Sequence, residues 1–119
     1  METPSPAIDQ LEHLPGHIRD TLAKVRQELI AFYGDQLKRI ILFGSYARGD
    51  FHEDSDLDIM PVVSGTSVLD LKKEGLFQLA YRHFEQDRIR VSFVPSLMSQ
   101  FVEAETFLLM FVHKDGIDL

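Results

Sequence analysis

Apolar positions along this chain recur with two different periods, and the switches between them mark out the elements. Ile18, Leu22, Val25, Leu29 and Phe32 are spaced by alternating steps of four and three, one apolar stripe on a helix that ends near Gly34. Ahead of it, Pro15-Gly16 breaks any short helix before it, and Met1 to Pro6 (METPSP) reads as a polar, proline-containing tail expected to be disordered. Lys38 to Phe43 (KRIILF) and Leu57 to Val63 (LDIMPVV) are short β-branched and aromatic runs that predict strands. Ser64 to Ser67 then reads as a loop, with Ser67 as the cap and Asp70 in the first turn of a helix running to about Gln86. Gly75 inside that helix costs about 1 kcal/mol relative to Ala.

Arg88 to Val94 (RIRVSFV) alternates, which assigns Ile89, Val91 and Phe93 to the buried face of a strand and Arg88, Arg90 and Ser92 to the other. Pro95 stops it, and Ser96 to His113 reads mainly as a final helix. Within that helix Phe107 to Val112 (FLLMFV) is an unbroken apolar run, wider than one helix face needs against a small sheet. Either part of it is an exposed contact surface, or it ends the helix inside the core or forms a short edge strand; the pattern leaves both open.

Length changes the picture first. A chain of 119 residues supports one core, so residues 17–119 are expected to form a single domain, with 1–16 as an N-terminal tail and short segment. No repeat and no second domain are visible, so whatever such a domain acts on is expected to come from another molecule. The formal net charge of -7 argues against a long RNA or DNA, whose affinity comes mostly from phosphate neutralisation by Lys and Arg. With no cysteine, no secretory signal and no apolar stretch of spanning length, a membrane is not expected and a cytoplasmic location is.

The chemistry concentrates between the two predicted strands, in GSYARGDFHEDSDLD from Gly44 to Asp58. Strand alternation points Asp56 and Asp58 the same way and turns Leu57 into the core. Two carboxylates side by side repel unless a cation lies between them, and a hard divalent ion such as Mg2+ fits, keeping waters and substrate phosphates as its other ligands. Gly44 lets the backbone approach a phosphate, Ser45 can donate its hydroxyl, and free N–H groups after the turn favour an anion. Arg48 is close enough to reach a phosphate or to pair with Asp50 or Asp54.

In these residues the chain resembles the nucleotidyltransferase superfamily that includes DNA polymerase β, whose signature is Gly-Ser, ten residues, then Asp-x-Asp. The phrase GSYARGDFHEDSDLDI is similar to the minimal nucleotidyltransferases (MNT), small proteins paired with HEPN-domain partners, and the looser likeness extends from about His17 to the C-terminus. It implies an α/β (α+β) nucleotidyltransferase fold, a small mixed, mainly antiparallel sheet backed by helices. It further implies Mg2+-dependent transfer of AMP from ATP to a hydroxyl of a partner protein, a tyrosine of a HEPN ribonuclease toxin that this chain would neutralise as an antitoxin, with an oligomer of the two as the expected assembly. Asp56 and Asp58 would be the catalytic metal ligands, and Gly44, Ser45 and Arg48 would bind the nucleoside triphosphate.

One position departs from the family. Its third carboxylate, on a later strand, aligns with Ser92, a neutral hydroxyl, so a second metal would bind less well. That departure supports a second reading: a nucleotide-binding antitoxin, catalytically impaired, that acts by protein contact. An antibiotic-modifying nucleotidyltransferase is a third, disfavoured because no domain remains to hold the drug. Elsewhere the residues read as structure. His13 and His17 lie four apart, but Pro15-Gly16 disrupts the helix between them and no third soft ligand follows in pattern. His52, His83 and His113 carry no pairing pattern and are expected at the surface.

Overall fold

The computed structural model describes residues 11–119, so the expectation for Met1 to Pro6 lies outside the described residues. Helix α1 (Gly16–Tyr33) starts directly after Pro15, whose carbonyl accepts the first helical N–H groups, and ends at Gly34, where φ of +59° suits glycine. The predicted stripe buries Ile18, Leu22, Val25 and Leu29. Tyr33 closes it instead of Phe32, its hydroxyl donating to the Leu71 carbonyl at 2.6 Å. Phe32 is half-buried, against Gly75, where an added Cβ would lie 2.4 Å from its ring. The glycine within the later helix is thus explained by this close packing.

A 3-10 turn leads into strand β1 (Leu37–Phe43), a single helical turn α2 (Ser45–Arg48), and strand β2 (Leu57–Val63), which pairs antiparallel with β1 and sets Asp58 opposite Phe43. Both strands fall on the predicted apolar runs. Ser67 does act as a cap, but the helix expected from it is split. A 3-10 turn at Val68–Leu71 comes first, Lys72 turns left-handed at φ 51°, and helix α3 (Lys73–Asp87) begins there.

Two further expectations are corrected. The strand read across seven residues is reduced to β3 (Val91–Phe93), because Arg88 adopts φ 57° to close α3 and the chain must turn before it can pair. Pairing resumes after Pro95 as β4 (Ser96–Leu97), so the proline interrupts the edge of the sheet without ending it. The single final helix is two, α4 (Met98–Glu103) and α5 (Phe107–Asp115), divided by Ala104 at φ 49° and restarted by the Thr106 hydroxyl, which accepts from the Leu109 N–H at 3.1 Å. Strand β5 (Ile117–Asp118) closes the described chain against β1, fastened by Arg39 in a two-pronged pair with Asp118 at 2.9 and 2.8 Å.

The sheet runs β3-β2-β1-β5, with β4 also beside β2; β1 pairs antiparallel with β2 and β5, while β3 and β4 run parallel to β2. It is the mixed sheet backed by helices that the resemblance implied. Strand alternation gives it two faces. Ile40, Leu42, Leu57, Ile59 and Val63 pack with α1, Leu76 and Leu79 of α3, and Leu14 in the turn before α1. Ile41, Phe43, Met60 and Val62 pack on the other side with Phe101 of α4 and Leu109 and Val112 of α5. The remaining side chains of the FLLMFV run stay outside: Phe107 is 80% exposed and Phe111 58%, so the segment is in part exposed apolar surface rather than a fully buried end. His83, expected at the surface, is buried at 4% exposure and donates to Glu28 at 2.6 Å. No helix among the described residues is long and apolar enough to cross a membrane.

Candidate active site

The sheet brings Gly44, Ser45, Arg48 and Asp58 together at one end of β1 and β2, whereas Asp56, just before β2, faces a separate cavity beside Arg90, and Ser92 lines a third. Antiparallel pairing places the turn after Phe43 directly beside Asp58. Gly44 adopts φ +76°, and a Cβ built there would lie 2.2 Å from Asp58 Oδ2, so only glycine lets the turn press against the carboxylate. Gly44, Ser45, Arg48 and Asp58 line one cavity of about 350 Å³, together with Phe43, Leu108, Phe111 and Asp115. The last three come from α5, far along the chain.

The turn is held from outside the motif. His13 donates from Nε2 to the Tyr46 carbonyl at 2.7 Å, and the Tyr46 ring stacks on Phe51 with centroids 4.5 Å apart. His17 is exposed on α1. Arg48 pairs with Asp50 at 3.2 Å, one of the two expected partners, while its charge still acts on Asp58.

The two aspartates differ. Asp58 is half-buried, and burial pushes its carboxyl above the usual range; the charge of Asp56 pushes the same way and Arg48 opposes both. Asp56 is more exposed and its Oδ1 lies 3.2 Å from Nε of Arg90. Its charge also raises the Tyr46 hydroxyl, after burial has done so. Parallel pairing of β2 with β3 sets Ser92 opposite Asp58, so the neutral position neighbours the carboxylate pair.

These residues fit a divalent ion of the kind that is shared with a substrate. Among the described residues no three His, Cys, Asp or Glu side chains form a ligand cluster. The protein offers two mutually repelling carboxylates, one of them in a cavity with Gly44, Ser45 and Arg48, a donor set that suits a divalent ion with open coordination positions better than a closed protein cage. Sequence reasoning missed Asp115, the pinning by His13 and the position of Leu108 and Phe111 at the cavity, all contacts between distant segments with no local signal. The alternation of RIRVSFV did place Arg90 on the same side as Ser92.

The geometry agrees with what the chain is similar to. A family model described as nucleotidyltransferase domain matches residues 22–117. The chain belongs to the nucleotidyltransferase domain family. Among curated proteins, "Putative protein adenylyltransferase MJ0141" of Methanocaldococcus jannaschii is 35% identical over 66 residues, 56% of this chain and 66% of that one. The chain matches less than two thirds of the length of this and two further relatives from that organism, at 66%, 41% and 48%. Among solved structures, one described as "putative minimal nucleotidyltransferase" superposes with a TM-score of 0.56 at 26% identity, covering 91% of this nucleotidyltransferase chain and 99% of the other. A crystal structure of a toxin-antitoxin with AMP-PNP shares the fold, with a TM-score of 0.55 at 24% identity over 80% of this chain and 69% of that one.

Proposed function

We propose that this nucleotidyltransferase domain transfers AMP from Mg2+-bound ATP to a hydroxyl of a partner protein, and that the partner is a HEPN ribonuclease toxin for which it serves as a cytoplasmic antitoxin. The observation that carries the reading is the fit of the Gly44 turn against Asp58 in a cavity shared with Ser45 and Arg48. A glycine turn pressed against a half-buried carboxylate, beside a hydroxyl and an arginine, gives an anionic, metal-bound substrate both phosphate contacts and an ion ligand.

In this reading Gly44 and Ser45 hold the β- and γ-phosphates through backbone N–H groups and the hydroxyl. Arg48 adds positive charge toward the same oxygens. Asp56 and Asp58 hold the ion, which when bound screens the triphosphate and polarises the α-phosphate. The acceptor oxygen attacks the α-phosphorus in line, the bond to the bridging oxygen breaks, pyrophosphate leaves with that electron pair, and the hydroxyl proton passes to solvent.

A protein acceptor is supported by two observations. The curated relatives bear the name protein adenylyltransferase. The exposed side of α5 also borders the cavity: Leu108 and Phe111 line it, and Phe107 and Met110 extend the apolar surface outward, so a protein docked there would bring a side chain to its mouth. The toxin identity rests on the resemblance of GSYARGDFHEDSDLDI to the minimal nucleotidyltransferases. Incubation with α-labelled ATP, Mg2+ and the co-purified partner tests the whole: label on the partner is expected, and label on no protein from folded chain would refute transfer.

A second reading, an impaired transferase that inhibits by contact, is favoured by Ser92 opposite Asp58 and by Arg90 on Asp56. Ser92→Asp separates them. It should raise transfer at limiting Mg2+ if the site is a working one short of a ligand, and contact inhibition predicts partner inhibition that is indifferent to ATP.

A further inference from the structure

Arg90 is fastened at the site from two directions. Its Nε lies 3.2 Å from Asp56 Oδ1, and a second guanidinium nitrogen donates to the Asp54 carbonyl. Its own carbonyl accepts from the Leu57 N–H at 2.8 Å, so its backbone is tied to β2 between the two aspartates. Two residues later, in β3, the neutral Ser92 pairs opposite Asp58. Asp56 and Asp58 bring two negative charges, and at this one corner the chain supplies a fixed cation and omits a third carboxylate.

We propose that Arg90 is a built-in cation at Asp56 that takes the place of a second metal ion, so that the carboxylate pair holds one divalent ion per chain and Arg90 sets how tightly. This rests on the reading of Asp56 and Asp58 as metal ligands. A guanidinium cannot lose its charge at working pH, so its repulsion of an incoming ion is permanent. Arg90 offsets the charge of Asp56 as Arg48 opposes that of Asp58, so the carboxylate pair presents less negative potential to a second divalent ion than two free carboxylates would. Arg90 is a positioning residue: it holds Asp56 when no ion is bound and moderates affinity when one is.

The test is titration of the folded chain with Mn2+ alone, without nucleotide, at low salt, counting bound ions by electron paramagnetic resonance and measuring affinity by calorimetry. The unmutated chain should bind one Mn2+, with binding lost in Asp58→Asn. Arg90→Met should tighten that binding about 3- to 10-fold, Arg90→Lys should leave it within about twofold, and added salt should shrink the Met effect. Arg90→Gln, which keeps a donor for the Asp54 carbonyl, serves if the Met variant folds poorly. Binding that needs Asp58 yet is unchanged or weaker in Arg90→Met and Arg90→Gln overturns this proposal and leaves the metal site standing. Two ions bound by the unmutated chain overturn it as well. Absence of any Mn2+ binding that Asp58→Asn removes overturns the metal-site reading and this proposal together.

Discussion

The two faces of the sheet are built from the same two strands and do different work. On the α1 and α3 side every inward residue of β1 and β2 meets another apolar side chain, from Leu14 and the α1 stripe to Leu76 and Leu79. On the α4 and α5 side the apolar cluster is smaller, and at one end it gives way to Gly44, Ser45, Arg48, Asp58 and Asp115 around a cavity. One face commits its area to stability; the other leaves a gap in its packing where polar groups reach solvent. A site of repelling carboxylates costs stability, and the filled face offsets that cost.

The largest effect should come from damaging the filled face. Leu29→Ala removes a side chain with no exposure from the centre of the α1 stripe and should cost about 2–5 kcal/mol in denaturant unfolding. Its effect on transfer per folded molecule should be small, and a loss of activity larger than the loss of folded protein would show that the two faces are coupled. Asp58→Asn attacks the other face and should reverse the pattern. Transfer should fall at least about 100-fold, which corresponds to about 2.7 kcal/mol of transition-state stabilisation, while the metal-free protein melts no lower than the unmutated one because a half-buried, repelled charge has been removed. A lower metal-free melting temperature would mean that the carboxylate is a structural partner, and the division of labour would fail.

A smaller change sharpens the comparison on the open face itself. Phe111 is 58% exposed yet lines the cavity, so Phe111→Ala should leave stability within about 0.5 kcal/mol while weakening partner binding by about 1–2 kcal/mol. Calorimetry with the co-purified partner reads the second number and chemical unfolding the first. Equal losses in both would show that the ring belongs to the core instead of the partner surface.

The face that stabilises was the easier one to read from sequence, and for a physical reason. The α1 stripe and the runs KRIILF and LDIMPVV are local, periodic and long enough to be told from noise, and the Gly-Ser to Asp-x-Asp spacing is a motif contained in one turn. What was missed depends on left-handed backbone at non-glycine residues and on distant partners. Lys72, Arg88 and Ala104 all take positive φ, splitting one helix, shortening β3 and dividing the last helix, and none of these residue types announces that conformation. The pairing of His83 with Glu28 joins α3 to α1 across 55 positions, and Asp115 reaches the cavity only because α5 folds back over β1. The two-residue strands β4 and β5 are too short to carry a period at all.

The smallest effect expected concerns an aspartate that is the opposite of Asp58. Asp70 is partly exposed, and the N–H groups of Ser67 and Thr66, at 3.1 and 3.0 Å, hold its carboxyl below the usual range, with Gln36 assisting at 3.3 Å. A carboxyl lowered on folding stabilises the ionised protein, so its contribution is present above the unfolded value of about 3.9 and disappears as pH falls through the lower folded value. Asp70→Asn should therefore lower the melting temperature slightly at neutral pH, and the gap from the unmutated chain should close as the solution is acidified below about pH 4. Asp58 predicts the opposite sign, since its raised carboxyl makes ionisation costly in the fold, and Asp58→Asn should gain most where the carboxylate would be charged. Melting the two variants across the same pH series in chelator thus compares a carboxylate that the fold uses with one that it tolerates. If the Asp70→Asn gap persists unchanged at low pH, the cap works through shape rather than charge, and the contrast between the two aspartates rests on Asp58 alone.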